Sequence, residues 1–284
     1  MLPGPFLGSR QMRNFAVSAS LGALLALAQP ALAAPITYDC QARMTRVWTV
    51  PPPAPGDANP WQCAAPTAKT PAGVHWQRNS LEYCRLSVNV YDEALAAAQR
   101  IARTHRPHSW LVLMDADETV IDNSLFERER QMCGGAFKDP QWRGWVKAGL
   151  AADVPGAAAF TDAVHTLGGL VGIVTNRSAD QDALTRATLK KAGIRFDYEV
   201  GMTGDHSDKT ERWRGAETAL TTKAGGRPVA VMWLGDQVTD LAILDGHGKL
   251  LRAMNENDRG DGIGNQLFLL PNPMYGGWTD NPDR

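Results

Sequence analysis

Three apolar runs limit the fold more than any other feature: Trp110-Leu111-Val112-Leu113-Met114, Leu170-Val171-Gly172-Ile173-Val174 and Val229-Ala230-Val231-Met232-Trp233-Leu234. They are too short for core helices and lack polar alternation, so they read as strands buried on both faces. The segments between them carry helical spacing. Pro155 opens one helix, with Phe160, Val164 and Leu167 inward and Gly168-Gly169 at its end. Residues 180–192 form a second that stops at Gly193, and residues 210–224 a third. Shorter runs at 196–200 and 267–270 add two strands. This alternation predicts an α/β fold, a parallel sheet with helices on both faces.

Ahead of the first strand, Asn79 is expected to cap a long helix with Glu82 three residues on. Its buried stripe would be Leu81, Cys84, Val88, Tyr91, Leu95, Ala98 and Ile101, ending at His105-Arg106-Pro107. The prolines of residues 50–60 exclude regular helix or central strand there. Residues 123–153, rich in charge and tryptophan, read as a mostly helical insertion.

The amino terminus reads as an export signal. Arg10 and Arg13 precede an apolar stretch at 15–27, which leads to Ala31-Leu32-Ala33. Cleavage is expected after Ala33 or Ala34, and Met12 is an alternative start. The apolar stretch is too short to span a bilayer. Cys40, Cys63, Cys84 and Cys133 are an even set that suits disulfides in an exported chain, with three possible pairings. Cys40 with Cys63 is the expected one, because the two bracket the proline-rich segment. The residues before Cys40 are not a lipobox, so no lipid anchor is expected. A net charge of −1 gives no field for a nucleic-acid polymer or an anionic membrane.

Four loops carry the chemistry. Asp115-Ala116-Asp117-Glu118-Thr119 follows the first strand, with Thr119 and Asn123 placed to tie the loop back on itself. Thr175-Asn176-Arg177 follows the second, where a hydroxyl and backbone N–H groups can hold a phosphoryl oxygen. Lys209 begins a helix, against the dipole, which points to a negative partner. Gly235-Asp236-Gln237-Val238-Thr239-Asp240 follows the third strand, where glycine permits a tight turn. Carboxylates converging on one site repel by roughly 4 kcal/mol at about 4 Å, and a hard divalent cation is the simplest neutraliser.

In that order the loops resemble the four motifs of the haloacid dehalogenase (HAD) superfamily. The narrower likeness is to its class C (subclass IIIB) acid phosphatases, which include bacterial lipoprotein and 5′-nucleotidase members. Val74-His75-Trp76 through Ser80-Leu81-Glu82-Tyr83, Trp145 through Val154-Pro155-Gly156-Ala157, and Leu270-Pro271-Asn272-Pro273-Met274-Tyr275-Gly276 carry it. It covers residues 74–284, leaving 1–34 as signal and 35–73 as a cysteine- and proline-rich extension. It implies a HAD-like Rossmannoid sheet with a small helical cap at about 124–153, joined by part of the 79–104 helix.

The resemblance implies that Asp115 attacks phosphorus while Asp117 acts as general acid and then base. Thr175, Asn176 and Lys209 would hold the phosphoryl group. The Asp115 and Asp236 side chains and the Asp117 backbone carbonyl would bind one Mg2+, with Thr119 and Asp240 in support. Phe126, Trp142, Trp145 and Tyr275 are candidates for stacking on the leaving group, and His206 for reaching it. The implied protein is a secreted or periplasmic acid phosphatase for small phosphomonoesters, nucleoside monophosphates included. A dedicated 5′-nucleotidase or phosphotransferase is the nearest alternative. A non-catalytic binding or storage protein of the same fold is the other, against which Asp115 argues.

Overall fold

The computed structural model describes residues 1, 4, 34–65, 69–221 and 226–282. The expected signal stretch at 15–27 and Ala33 lie outside the described residues. Three helices lead into the sheet: α1 (Cys40–Thr45), α2 (Ala72–Asn79) and α3 (Leu81–Ala102). Ser80, not Asn79, caps α3. Asn79 closes α2, and Ser80 turns the chain in the extended region while its side chain accepts from Tyr83 N. The buried side of α3 includes Cys84, Val88, Tyr91, Leu95 and Ala98 as read, and also Tyr83, Ser87 and Ala94. Leu81, at the start of the helix, is exposed.

The next elements are β1 (Trp110–Met114), β2 (Ile121–Asp122), α4 (Ser124–Met132), α5 (Asp139–Ala148) and β3 (Ala152–Asp153). Antiparallel pairing of β2 with β3 closes the base of the helical insertion. The remainder is α6 (Ala157–Thr166), β4 (Leu170–Ser178), α7 (Asp182–Lys191), β5 (Tyr198–Met202), α8 (Thr210–Ala219), β6 (Val229–Gly235), β7 (Ala242–Leu244), β8 (Leu250–Ala253) and β9 (Leu267–Leu269). Residues 222–225 of the third expected helix lie outside the described residues.

Five strands make one parallel sheet in the order β5-β4-β1-β6-β9. The chain builds outward from β1 to one side, then returns to build the other. The strand ends flanking β1 therefore form the crevice where open α/β sheets bind ligands. Alternate residues of β1 feed two cores. Trp110, Val112 and Met114 pack with Tyr91, Leu95, Phe160 and Val164 of α3 and α6. Leu111 and Leu113 pack with Trp213 and Ala216 of α8 on the other face.

The disulfides are Cys40–Cys84 and Cys63–Cys133, which corrects the expected Cys40–Cys63 pair. Tertiary packing decides the pairing. Arg43 of α1 donates through Nη1 to the Gln77 carbonyl (2.8 Å) and ion-pairs with buried Asp122 (2.7 Å), which sets Cys40 against α3. Cys63 packs against the end of α4, beside Cys133, where its N–H donates to Glu129 (2.9 Å). Nearby, Trp61 meets Trp145 edge-on, with centroids 4.9 Å apart. The extension is thus fastened to the insertion. Each cross-link closes a long loop, an effect on the order of 4 kcal/mol on the chain-entropy account.

One strand residue is poorly matched to its place. Glu199 of β5 gives one carboxylate oxygen to Arg186 (2.7 Å), and the other is buried without a hydrogen bond. Burial pushes its carboxyl up to about 7, with Asp182 adding to the shift and Arg186 opposing it. The folded state therefore binds this proton more tightly than the unfolded chain, and stability falls as pH rises from about 4.3 toward 7. Glu199→Gln is expected to stabilise the protein at pH 8 and not at pH 4. The gain should be on the order of 1 kcal/mol, since the half-exposed Arg186 screens part of the cost. Thermal melts at both pH values check it; equal shifts would exclude this cause.

Candidate active site

The ends of β1 and β6 are neighbours, with Met114 opposite Leu234. Asp115 N donates to the Leu234 carbonyl at 3.0 Å, carrying the ladder one residue past β1. That register brings the first and fourth loops together. The turn after β6 needs glycine at 235, because a Cβ there would lie 2.1 Å from Asp240 Cβ. A 3₁₀ turn, Val238–Asp240, then returns Asp240 to the site, where it accepts from Gln237 N (3.1 Å). Carboxylate oxygens of Asp115, Asp236 and Asp240 lie within 4.8 Å of one another.

Lys209, the N-cap residue of α8, is buried. Its ammonium pairs with Asp115 and, at 2.7 Å, with Asp240. Burial opposes its charge, but Asp115 and Asp240 outweigh that and hold the ammonium above its ordinary range. Three acids facing one ammonium leave an excess of negative charge. Burial raises Asp115 to about 7, with Lys209 opposing and Asp240 adding. Burial and then Asp240 push Asp236 well above the usual carboxylate range. Oxygen-only donors with surplus negative charge in a small space suit a hard divalent cation, so the residues fit the metal that the sequence implied.

Asp117 sits opposite, among groups from two other segments. Arg177 grips both carboxylate oxygens, with Nε at 3.0 and 3.1 Å and Nη2 at 2.7 Å from Oδ1. Asn123 Nδ2 donates to Oδ1 at 2.7 Å. Asn123 thus ties the loop back as expected, whereas Thr119 reaches across to Asp236 Oδ1 (3.3 Å). Between Asp117 and Thr119, Glu118 takes a positive φ of 53° and is buried. It accepts from Asn123 N (2.6 Å) and from the Tyr275 hydroxyl.

Thr175 is fully buried and off the cavity wall, and its hydroxyl accepts from Arg177 N (3.1 Å). Arg212 fixes this loop by donating to the Thr175 carbonyl and to Asn176 Oδ1 (2.6 Å). A cavity of about 430 Å³ opens over the acids; its walls include Asn176, Lys209, Glu127, Arg130, Phe137, Trp142 and Tyr275. Helices α4 and α5 therefore form one wall.

The stacking candidates divide. Phe126 and Trp145 are fully buried and pack on each other, so neither can offer a ring face to a ligand; this corrects the expectation. Trp142 and Tyr275 do line the cavity, although the Tyr275 hydroxyl is committed to Glu118. His206 is exposed and off the cavity wall.

Residues 43–278 match the sequence model of the HAD superfamily, subfamily IIIB (Acid phosphatase). The chain belongs to that family. Among curated relatives of this subfamily IIIB chain, the stem 31 kDa glycoprotein of Glycine max is 26% identical over 59% of this chain and 60% of its own length. Acid phosphatase 1 of Solanum lycopersicum is 25% identical over 57% of each. The chain thus spans somewhat over half the length of these relatives. A class C acid phosphatase of Bacillus anthracis, solved with tungstate bound, shares the fold at a TM-score of 0.59. It is 20% identical, over 72% of this chain and 84% of that one.

For this subfamily IIIB chain, sequence reasoning did not single out Arg177, Glu118, Arg212 or Phe137. Arg177 had a signal available. Two residues past Thr175 in a strand that continues to Ser178, it shares the Thr175 face. Asn272 lay in a stretch that carried the family likeness but was given no role, and its amide donates to Asp236 Oδ2 at 2.8 Å.

Proposed function

We propose that the chain is an exported, magnesium-dependent acid phosphatase that hydrolyses phosphomonoesters of broad class, nucleoside monophosphates included, through an aspartyl-phosphate. The observation that carries this reading is the meeting of Asp115, Asp236, Asp240 and Lys209 at the floor of one cavity, with Asp117 beside them. Asp115 attacks phosphorus. Asp117 protonates the departing alcohol and then takes a proton from the water that attacks the aspartyl-phosphate. Lys209 balances charge on Asp115 and the phosphoryl oxygens, while Asn176 holds those oxygens. Asp115, Asp236 and the Asp117 carbonyl would hold magnesium, which supplies positive charge to the phosphoryl group. Trp142, Phe137 and Tyr275 give the leaving group an aromatic wall.

Export is supported by the basic–apolar amino terminus and by two disulfides, which suit an oxidising compartment. No described helix is long and apolar enough to cross a membrane.

Phosphate release from aryl, sugar and nucleoside monophosphates tests the reading. Turnover is expected across the panel, lost in a chelator and regained with Mg2+. It should be highest at acidic to mildly acidic pH, in keeping with the acid phosphatase subfamily to which the chain belongs. Activity that survives the chelator, or a rate rising steadily above neutrality, contradicts it. Transfer to added alcohols, or turnover of nucleotides alone, would favour the phosphotransferase or 5′-nucleotidase alternative.

A further inference from the structure

Among the described residues, Arg177 is the basic side chain paired with Asp117. The guanidinium is buried, with three of its N–H···O approaches made to Asp117. A further one goes to Asn123 Oδ1 (3.2 Å), which also accepts from Trp145 Nε1 (2.8 Å). The Arg177 carbon centre stacks 5.2 Å from the Trp142 ring centroid, and Nη1 is buried with no hydrogen bond among the described residues. Nε and Nη2 are thus committed to the carboxylate and the insertion, and Nη1 is too deeply buried to reach into the cavity. Burial disfavours its charge, but Asp117 more than compensates and keeps the guanidinium above its ordinary range.

Resting on the reading of Asp117 as acid and base, we propose that Arg177 is a positioning residue for Asp117, acting on the reaction only through the orientation of that carboxylate. A carboxylate on a surface loop can rotate about two side-chain bonds. A bidentate guanidinium removes that freedom because two parallel donors define the carboxylate plane. Proton transfer demands reach within hydrogen-bond distance, so fixing the plane matters in both steps. Asn123, Trp142 and Trp145 fix the fork in turn. The insertion is in this way joined to the acid–base group, and is more than a wall.

The test is a double-mutant cycle on kcat/KM for an aryl phosphate, using Asp117→Asn, Arg177→Met and both together. Asp117→Asn should cost about 10³-fold and Arg177→Met about 10²-fold. In the Asp117→Asn background, Arg177→Met should cost less than about threefold, because there is no acid left to orient. Arg177→Lys, which retains charge and one donor, should recover part of the loss. The inhibition constant for inorganic phosphate should stay within about twofold throughout. Arg177→Met alone leaves Asp117 unpaired and can fail to fold, but the double variant removes both charges and keeps the comparison measurable. Additive losses, or a weakened phosphate inhibition constant, overturn the proposal and make Arg177 a direct ligand or a structural element. Full activity of Asp117→Asn overturns the acid–base reading itself, an outcome distinct from either.

Discussion

Asp115→Asn is expected to lower phosphate release by more than about 10³-fold while leaving the fold intact. Asparagine has the shape of aspartate but no nucleophilic oxygen, and a covalent route offers no substitute group at that point. Of the other carboxylates, Asp236 is taken up by Thr119 and Asn272, and Asp240 by Lys209 and Gln237 N. Stability should move the opposite way. Burial raises the Asp115 carboxyl to about 7, so the folded state holds its proton more tightly than the unfolded chain. In chelator, stability is then full at acidic pH and declines as pH rises toward 7. The variant lacks that decline and should melt no lower than the parent at pH 8 without metal. Its gain in melting temperature on adding Mg2+ should also shrink. Phosphate assays and melts in chelator and in Mg2+ measure both. Retained turnover would remove Asp115 as nucleophile; lost turnover with a collapsed melt would leave folding as the cause.

The strands were legible because their signal is local. A run such as Trp110–Met114 buried on both faces has no competing helical reading, and the acid at its end is placed by the strand alone. The same reasoning put Asp236 beside Asp115, since both follow central strands of one sheet. Asp240 required more: the glycine at 235 permits the close return that brings Asp240 onto Lys209. Spacing to Glu82 favoured Asn79 as the cap of the long helix, but Asn79 ends α2, so Ser80 takes that place. The cysteine pairing was not local at all. It depends on α1 being docked beside α3, with Arg43 held by Asp122 of β2, residues 79 apart in the chain. The aromatic residues show the converse problem. Helical spacing marks Phe126, Trp142 and Trp145 as facing something, but only packing shows that Trp142 meets the cavity and the other two meet each other.

Lys209→Met should damage both stability and rate, and only the first should respond to metal. The ammonium is buried and joins Asp115 to Asp240, so its loss leaves two buried acids without a cation. Removing one partner of a buried pair typically costs about 3–5 kcal/mol. Here the lower end applies, because Lys209 opposes the rise of the Asp115 carboxyl to about 7, and without the ammonium that carboxyl takes up a proton more readily. For a domain of this size that is a fall in melting temperature on the order of 10 °C at pH 8 in chelator. Mg2+ should recover much of it by filling the same acidic cluster, and lowering the pH to about 5 should do so without metal. The rate should not recover. A divalent cation among Asp115 and Asp236 does not replace an ammonium on the other side of the nucleophile, and loss of such a charge typically costs about 10²–10³-fold. Melts in chelator, in Mg2+ and at pH 5, beside kcat and KM in Mg2+, separate the two effects. If saturating Mg2+ restored turnover together with stability, Lys209 would be a structural counter-charge alone, and the phosphoryl oxygens would have to be balanced by other donors.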